Sequence, residues 1–335
     1  MSNAAATIGR TRAPLWLSVA ILIAAVAGGA LYSLSTGGRS DVGFVDIWST
    51  DGIAGTVMAD IRAPRTTSAA LLGLNLGLAG LILQAITRNP LASPAILGIN
   101  QGAALGLTLG VVVPGLTSLP PDALALFGAF LAGVVTFAIS GGFKGRMDPM
   151  RLVLGGVAVG AFSYAMVRFA FTLEDDLART VVRWTVGDIT DIRWPEARRL
   201  ALWAGPGLLA ALALSQRLNL MALGQTSARG LGADPRLTLL LGTVVAAALA
   251  GASVSVAGPI AFTGLVVPHL AKMLFGGDHR ILVPVTALLG AALMLLADGL
   301  SKTLTAPIEA PIGVVAALIG APWFLWQTLK AKDFA

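Results

Sequence analysis

Two arginines, Arg62 and Arg65, flank Pro64, and near the other end of the chain Asp298, Lys302 and Glu309 follow in close succession. Asp298 and Lys302 are spaced i,i+4, which sets them on one helix face where they can pair. Two kinds of chemistry fit these charges. Basic side chains at helix ends anchor a protein at a membrane interface by reaching toward water. Fixed positive charges can equally form a docking surface that steers and orients an acidic partner. The residue types alone leave both open.

Other constellations are weaker. His269 and His279 have only Asp278 beside them, and the chain has no cysteine. A metal centre needs three or four converging ligands, so no metal site is expected. Glu174-Asp175-Asp176 is followed by Leu177, Ala178 and Arg179, which breaks the carboxylate spacing that a magnesium-dependent prenyltransferase needs. It reads as a solvated loop. An intramembrane serine protease would need a histidine at depth, and His269 sits beside Pro268 at an expected helix end. The phosphate cradle G-x-x-x-x-G-K-[ST] is absent, so this sequence offers no nucleotide site of its own.

Whatever these residues do, the elements that hold them must lie in lipid. Of 335 residues 56% are hydrophobic and only 12% charged, about half the charge of a soluble domain. The apolar residues form long runs, the pattern that bilayers impose on helices. Counting about 20 residues per crossing, we expect ten spans: 14–35, 65–86, 94–113, 121–142, 150–171, 199–215, 237–257, 259–275, 281–300 and 307–329. Polar connections are expected at 36–62, 172–198 and 216–236. The fold class is therefore an all-α membrane bundle in a single domain, 1–335, with a short tail at 1–13. Lysines and arginines concentrate on the segments that would be cytoplasmic if both termini were inside, which favours that orientation. The net charge of +6 is spread singly between apolar runs and forms no stripe, so nucleic acid is not an expected partner.

Glycines recur at four-residue spacing at Gly98, Gly102, Gly106 and Gly110, at Gly73 and Gly77, and at Gly156 and Gly160. This is the spacing of close helix packing, and a pore lining is the rival reading. Asn75, Gln84, Asn100 and Gln101 could line a pathway or bond between helices. A stand-alone ion-coupled transporter would need ionisable residues at mid-membrane. Arg168 is the only candidate well inside a span and sits near its outer end, which argues against coupling to protons.

Several stretches, in order, carry a resemblance. Arg62-Ala-Pro-Arg65 leads to Arg88-Asn-Pro-Leu-Ala92-Ser-Pro-Ala-Ile-Leu-Gly98, then Ala257-Gly-Pro-Ile-Ala-Phe-Thr-Gly-Leu-Val-Val-Pro-His269 and Gly277-Asp-His-Arg280. Ala297-Asp-Gly-Leu-Ser-Lys302, Pro307-Ile-Glu-Ala-Pro-Ile-Gly313 and Gly320-Ala-Pro-Trp-Phe324 complete the series. Together they resemble the FecCD-type permeases, the membrane subunits of type II ABC importers for ferric siderophores, haem and vitamin B12. The resemblance implies a BtuC-like fold of ten helices per subunit. It implies a second permease subunit, identical or homologous, two cytoplasmic ABC ATPases that bind ATP and magnesium, and an extracytoplasmic substrate-binding protein. No cofactor is expected in this chain, and its place would be the bacterial inner membrane.

The resemblance also implies roles. Arg62, Arg65 and Lys302 would receive acidic side chains of the binding protein, with lysine standing where arginine is more usual and losing bidentate geometry. Residues 220–232, within a coupling segment of about 216–236, would fit a cleft in the ATPase as a pair of short helices. Their contacts would come from Leu220, Leu223, Gly224, Gln225, Ala228, Arg229, Leu231 and Gly232. Family members often carry Glu where this chain has Gln225. Asn89 and Leu91 would lie at an inner gate, with Asp148 and Pro149 as its counterpart. The expected cargo is an iron–siderophore complex moved by alternating access. Haem or cobalamin is the alternative within the class.

Overall fold

The computed structural model describes residues 14–37, 42–48, 51–142, 149–172, 186–306 and 308–330. Twelve α-helices are described, which we number in chain order. They are α1 (Leu15–Ser35), α2 (Gly52–Thr56), α3 (Ala63–Thr87), α4 (Ile99–Val112), α5 (Pro121–Ile139), α6 (Pro149–Thr172), α7 (Trp194–Ala222), α8 (Gln225–Gly230), α9 (Pro235–Ala257), α10 (Thr263–Phe275), α11 (His279–Thr303) and α12 (Ile312–Lys330). Apart from the short α2 and α8, ten remain, each matching one expected span. Among the described residues, six helical stretches are long and apolar enough to cross a membrane by length and composition.

The bounds differ from expectation where polar chemistry decides them. Residues 36–62 were expected to form a connection, yet α2, a π-helical turn (Val57–Arg62) and α3 make one continuous stretch from Gly52 to Thr87. The span expected at 199–215 is a 29-residue helix, Trp194–Ala222. It continues through Pro206, which removes one backbone N–H from the helical ladder. The tail 1–13 lies outside the described residues.

α3 is the axis of the bundle, buried along almost its whole length. It can be so tightly enclosed because glycine removes the side chain at its crossings. A Cβ on Gly73 would be driven into the carbonyl of Gly290 in α11, and one on Gly80 into the carbonyl of Gly264 in α10. The stripe on α4 works in the same way. Gly106 meets the Leu124 carbonyl of α5, and Gly102 meets Gly128. The glycine spacing marks packing faces.

Two helices are short for spans. α4 has 14 residues and α10 has 13, which is about 20 Å of helix against a hydrocarbon core of about 30 Å. Irregular segments precede each, ending at Gly98 with φ 73° and Phe262 with φ 64°. Such backbone survives at depth only where protein buries it. Here neighbouring helices supply partners to both segments, since the Asn100 amide of α4 donates to the Ile260 carbonyl at 3.3 Å, and the Thr136 hydroxyl of α5 to the Leu97 carbonyl at 3.1 Å.

Candidate functional site: a charged cluster at one end and an exposed helix at the other

The candidate residues gather at two opposite ends of the bundle. One end, where α1 finishes and α3 and α7 begin, holds Arg62, Arg65 and Lys302. Its construction starts with Pro64. In α-helical register the Asp60 carbonyl would take the N–H of residue 64, which proline lacks. The helix widens by one residue there, and the Ala63 N–H bonds the Met58 carbonyl five residues back. Widening of this kind recurs at functional sites. It leaves the Ala59 carbonyl facing Pro64, and the indole N–H of Trp194, the first residue of α7, donates to it at 2.8 Å.

Arg65 follows on α3 and is buried. Its Nε donates to Asp298 Oδ1 at 2.7 Å and its Nη2 to the Ser301 hydroxyl at 3.2 Å, while Nη1 bonds the Glu309 carboxylate. Lys302 Nζ lies 2.6 Å from Asp298 Oδ2 and donates to the Ser33 carbonyl of α1 at 2.9 Å. The Ser33 hydroxyl donates to the same carboxylate oxygen at 2.6 Å and meets the Thr66 hydroxyl at 2.6 Å. Arg62 donates through Nη1 to the Leu34 carbonyl at 2.9 Å. Asp298 is thus shared by a cation on its own helix and one on α3, and is fully sealed from solvent.

The four-residue pairing of Asp298 with Lys302 was legible, but the surrounding enclosure was not. Arg62, Arg65 and Lys302 were expected to be presented on a surface. All three are 4% exposed or less, so in this conformation they are not free surface charges. The physical reason is that apolar helix ends cannot leave a carboxylate at Asp298 unanswered. Glu309, between α11 and α12, is the member that reaches out, with its side chain 21% exposed.

At the other end α7 terminates and the expected coupling segment begins. Leu218 and Met221 are fully buried and hold the end of α7 to the core. Gly224, with φ 100°, turns the chain into α8, a conformation that a side chain would strain. Within α8 only Ala228 is buried, while Arg229 and Gly232 are exposed and Leu220 and Gln225 are partly so. Leu223 and Leu231 expose 62% and 60% of their surface. The resemblance implied a pair of short helices. One short helix, α8, is described, preceded by the overlong α7. Asp234 then caps α9 by accepting the N–H groups of Arg236 and Leu237.

Arg88 adopts the left-handed conformation that ends α3, and its guanidinium stands 3.5 Å from where a Cβ on Gly224 would be. The corner carrying Asn89 therefore adjoins the turn into α8. The Asn89 side chain accepts the Leu91 N–H at 2.9 Å and shapes that corner, while Leu91 is 40% exposed. Pro149 opens α6. Asp148 lies outside the described residues.

Sequence reasoning did not anticipate the joint between α7 and α11. Asn219 Oδ1 accepts the backbone N–H of His279 at 2.8 Å and lies 2.8 Å from its Nδ1, and its amide donates to Asp278 Oδ1 at 2.7 Å. Asp278 caps α11 through the Arg280 N–H, and that bond, with the Asn219 amide second, holds its carboxyl below the usual carboxylate range. Among the described residues no three metal-ligating side chains converge. His269 packs edge-on to Trp323, with ring centroids 5.6 Å apart.

The polar residues named as candidate lining divide. Gln84 bonds the Leu265 carbonyl at 3.1 Å and Lys272 at 3.3 Å, so it joins helices, as Asn100 does. Gln101 Oε1 and both amide atoms of Asn75 have no hydrogen-bond partner among the described residues. Arg168 lies on an exposed face of α6 over the ring of Tyr164.

A polytopic helical bundle with buried charge at one end and a short exposed helix at the other defines a multi-pass membrane protein. Comparison with known proteins makes it specific. Residues 15–330 match the model of the FecCD transport family, and the chain belongs to that family. It is 37% identical to the haemin transport permease HmuU of Yersinia pestis, over 97% of this chain and 98% of that protein. It is 39% identical to the ferric dicitrate permease FecC of Escherichia coli K12, over 81% and 82% respectively. Related permeases are named for ferric hydroxamate and for vitamin B12. Its fold is similar to a solved metal-chelate-type ABC transporter in an inward-facing conformation, with a TM-score of 0.81 at 30% identity, covering 94% of this chain and 99% of that one. The chain is a multi-pass membrane permease of the ABC importer class.

Proposed function

We propose that this permease carries an iron–siderophore complex across the bacterial inner membrane by alternating access, with both termini cytoplasmic. The cargo pathway lies between it and a second permease subunit. ATP is hydrolysed by two partner ATPases, and an extracytoplasmic binding protein delivers the cargo to the end that holds Arg62, Arg65 and Lys302. Residues 220–232 seat in the ATPase, with Leu223 and Leu231 as apolar anchors of the kind that dominate interfaces. The corner at Asn89 and Leu91, with Asp148 and Pro149, narrows the inner mouth.

The observation that carries this reading is the course of α7. It is a single helix that begins with Trp194 bonded to the π turn beside Arg62 and ends two residues before α8. At 1.5 Å per residue it spans about 43 Å, enough to link a docking face to a coupling face. An ATPase that moves α8 therefore pulls on the helix that braces the arginines. Small and apolar lining suits a bulky chelate, which needs a wide path with weak contacts.

The test is reconstitution with the ATPases and binding protein, followed by uptake of labelled ferric hydroxamate, ferric citrate, haem and cobalamin. ATP-dependent uptake of a ferric chelate is expected, and uptake without any ATPase would refute the reading. Leu223→Asp with Leu231→Asp should cut uptake at least about tenfold, because a charged pair at an apolar anchor removes more than about 1.4 kcal/mol. Both side chains are exposed in the permease itself, so its thermal unfolding should stay unchanged.

A further inference from the structure

Glu309 differs from Asp298, the other carboxylate in the charged cluster. Asp298 is sealed and answers Arg65, Lys302 and Ser33 together. It cannot leave without stranding two buried cations. Glu309 meets Arg65 through one guanidinium nitrogen, Nη1, and its side chain is 21% exposed where that of Arg65 is 5% exposed. It therefore stands between Arg65 and solvent. Its backbone is pinned on both sides. The Ala310 N–H bonds the Ser301 carbonyl at 3.0 Å, and the Ile308 N–H bonds the Thr305 carbonyl at 3.1 Å. The side chain can swing out while the loop stays in place. Beside it Ile308 exposes 78% of its surface, an apolar contact on the same rim.

We propose that Glu309 is a built-in competitor for the docking site: it occupies the Arg65 guanidinium in the resting permease and yields that position to an acidic side chain of the arriving binding protein. The inference rests on the docking role given to Arg65 above. One carboxylate exchanges for another on the same guanidinium, so Arg65 is never left as an unpaired buried charge. The tethered carboxylate lowers the affinity of any untethered one, because its effective concentration is set by a single side chain. Docking is thereby weaker than it would be on an unoccupied Arg65 guanidinium.

A purely structural Glu309 predicts that its loss loosens the docking end. A competitor predicts the opposite sign. The complete transporter, with its ATPases, is placed in lipid nanodiscs, and the affinity of its cargo-free binding protein is measured by biolayer interferometry. Glu309→Gln, which keeps the shape and removes the charge, should bind about three- to fivefold tighter, the factor expected for losing a partly exposed ion pair. Unchanged or weaker binding would overturn the proposal. Arg65→Gln with Glu309→Gln removes both members of the rim pair and leaves Asp298 matched to Lys302. That double variant should lose binding. If it binds as the parent does, the docking role of Arg65 itself fails. If it loses binding while Glu309→Gln alone gains nothing, only the competitor role fails.

Discussion

At the arginine end, Arg65, Lys302 and Asp298 are closed off from solvent and answer one another across α3 and α11, with Ser33 of α1 completing the set. At the α8 end, Asp234 and Asp278 stand in water and hold helix starts, their own and, through Asn219, the end of α7. The same residue types thus do different work according to dielectric. A charge shielded from water must find its counterpart at atomic precision, and that need ties together segments far apart in sequence. A charge in water gains little from a partner, so it is left to cap the nearest backbone. The first arrangement makes a rigid end, and the second leaves one whose apolar side chains remain available.

This contrast predicts unequal damage. Asp298→Ala leaves Arg65 and Lys302 buried with only Glu309 at the rim. The loss should be about 3–5 kcal/mol, and the unfolding temperature in detergent should drop by roughly 10 °C. A drop under about 2 °C would mean that the cluster does not hold the end together, and the contrast would collapse.

The sequence disclosed these ends unevenly. Ten spans follow from apolar run length, and the Asp298–Lys302 pair follows from helical spacing, because both are local rules. The partnership of Arg65 with Asp298 joins residues 233 apart, and Ser33 with Asp298 joins residues 265 apart. No periodicity reaches that far. One signal was present and unread: a proline four residues after Asp60 strips the N–H that its carbonyl needs, and so announces a widened turn just before Arg65. Asn219 gave no such sign, since an asparagine near a helix end usually caps its own helix. At the coupling segment the reverse holds. Gly224 and Asp234 mark the turn and the cap from sequence, but the length of α7 hides there, since Arg217 and Asn219 read as loop residues.

Trp194 tests the brace between the ends more finely. Trp194→Phe keeps the ring and removes the donor to Ala59, leaving a carbonyl that Pro64 cannot satisfy. The expected loss is about 1 kcal/mol, read as a fall of roughly 2–4 °C in unfolding temperature. If the fall is instead as large as that of Asp298→Ala, the π turn and not the ion cluster is the main support of the arginine end.

The smallest effect belongs to the exposed end. Asp278 has its carboxyl held below the usual range, first by the Arg280 N–H and then by the Asn219 amide. A carboxyl whose folded pKa is depressed adds stability above its unfolded pKa, and that stability is lost as pH falls through the lower folded value. Unfolding temperatures of the parent and Asp278→Ala should therefore differ by a constant, small amount from neutral pH down to about pH 5. They should converge below about pH 4, where the unfolded carboxyl begins to bind its proton. The mutant should lose only the cap and the α7–α11 joint, with the arginine end untouched. If the gap persists undiminished at acid pH, the lost stability comes from packing and not from the ionised cap, and the exposed end is held by the same means as the buried one.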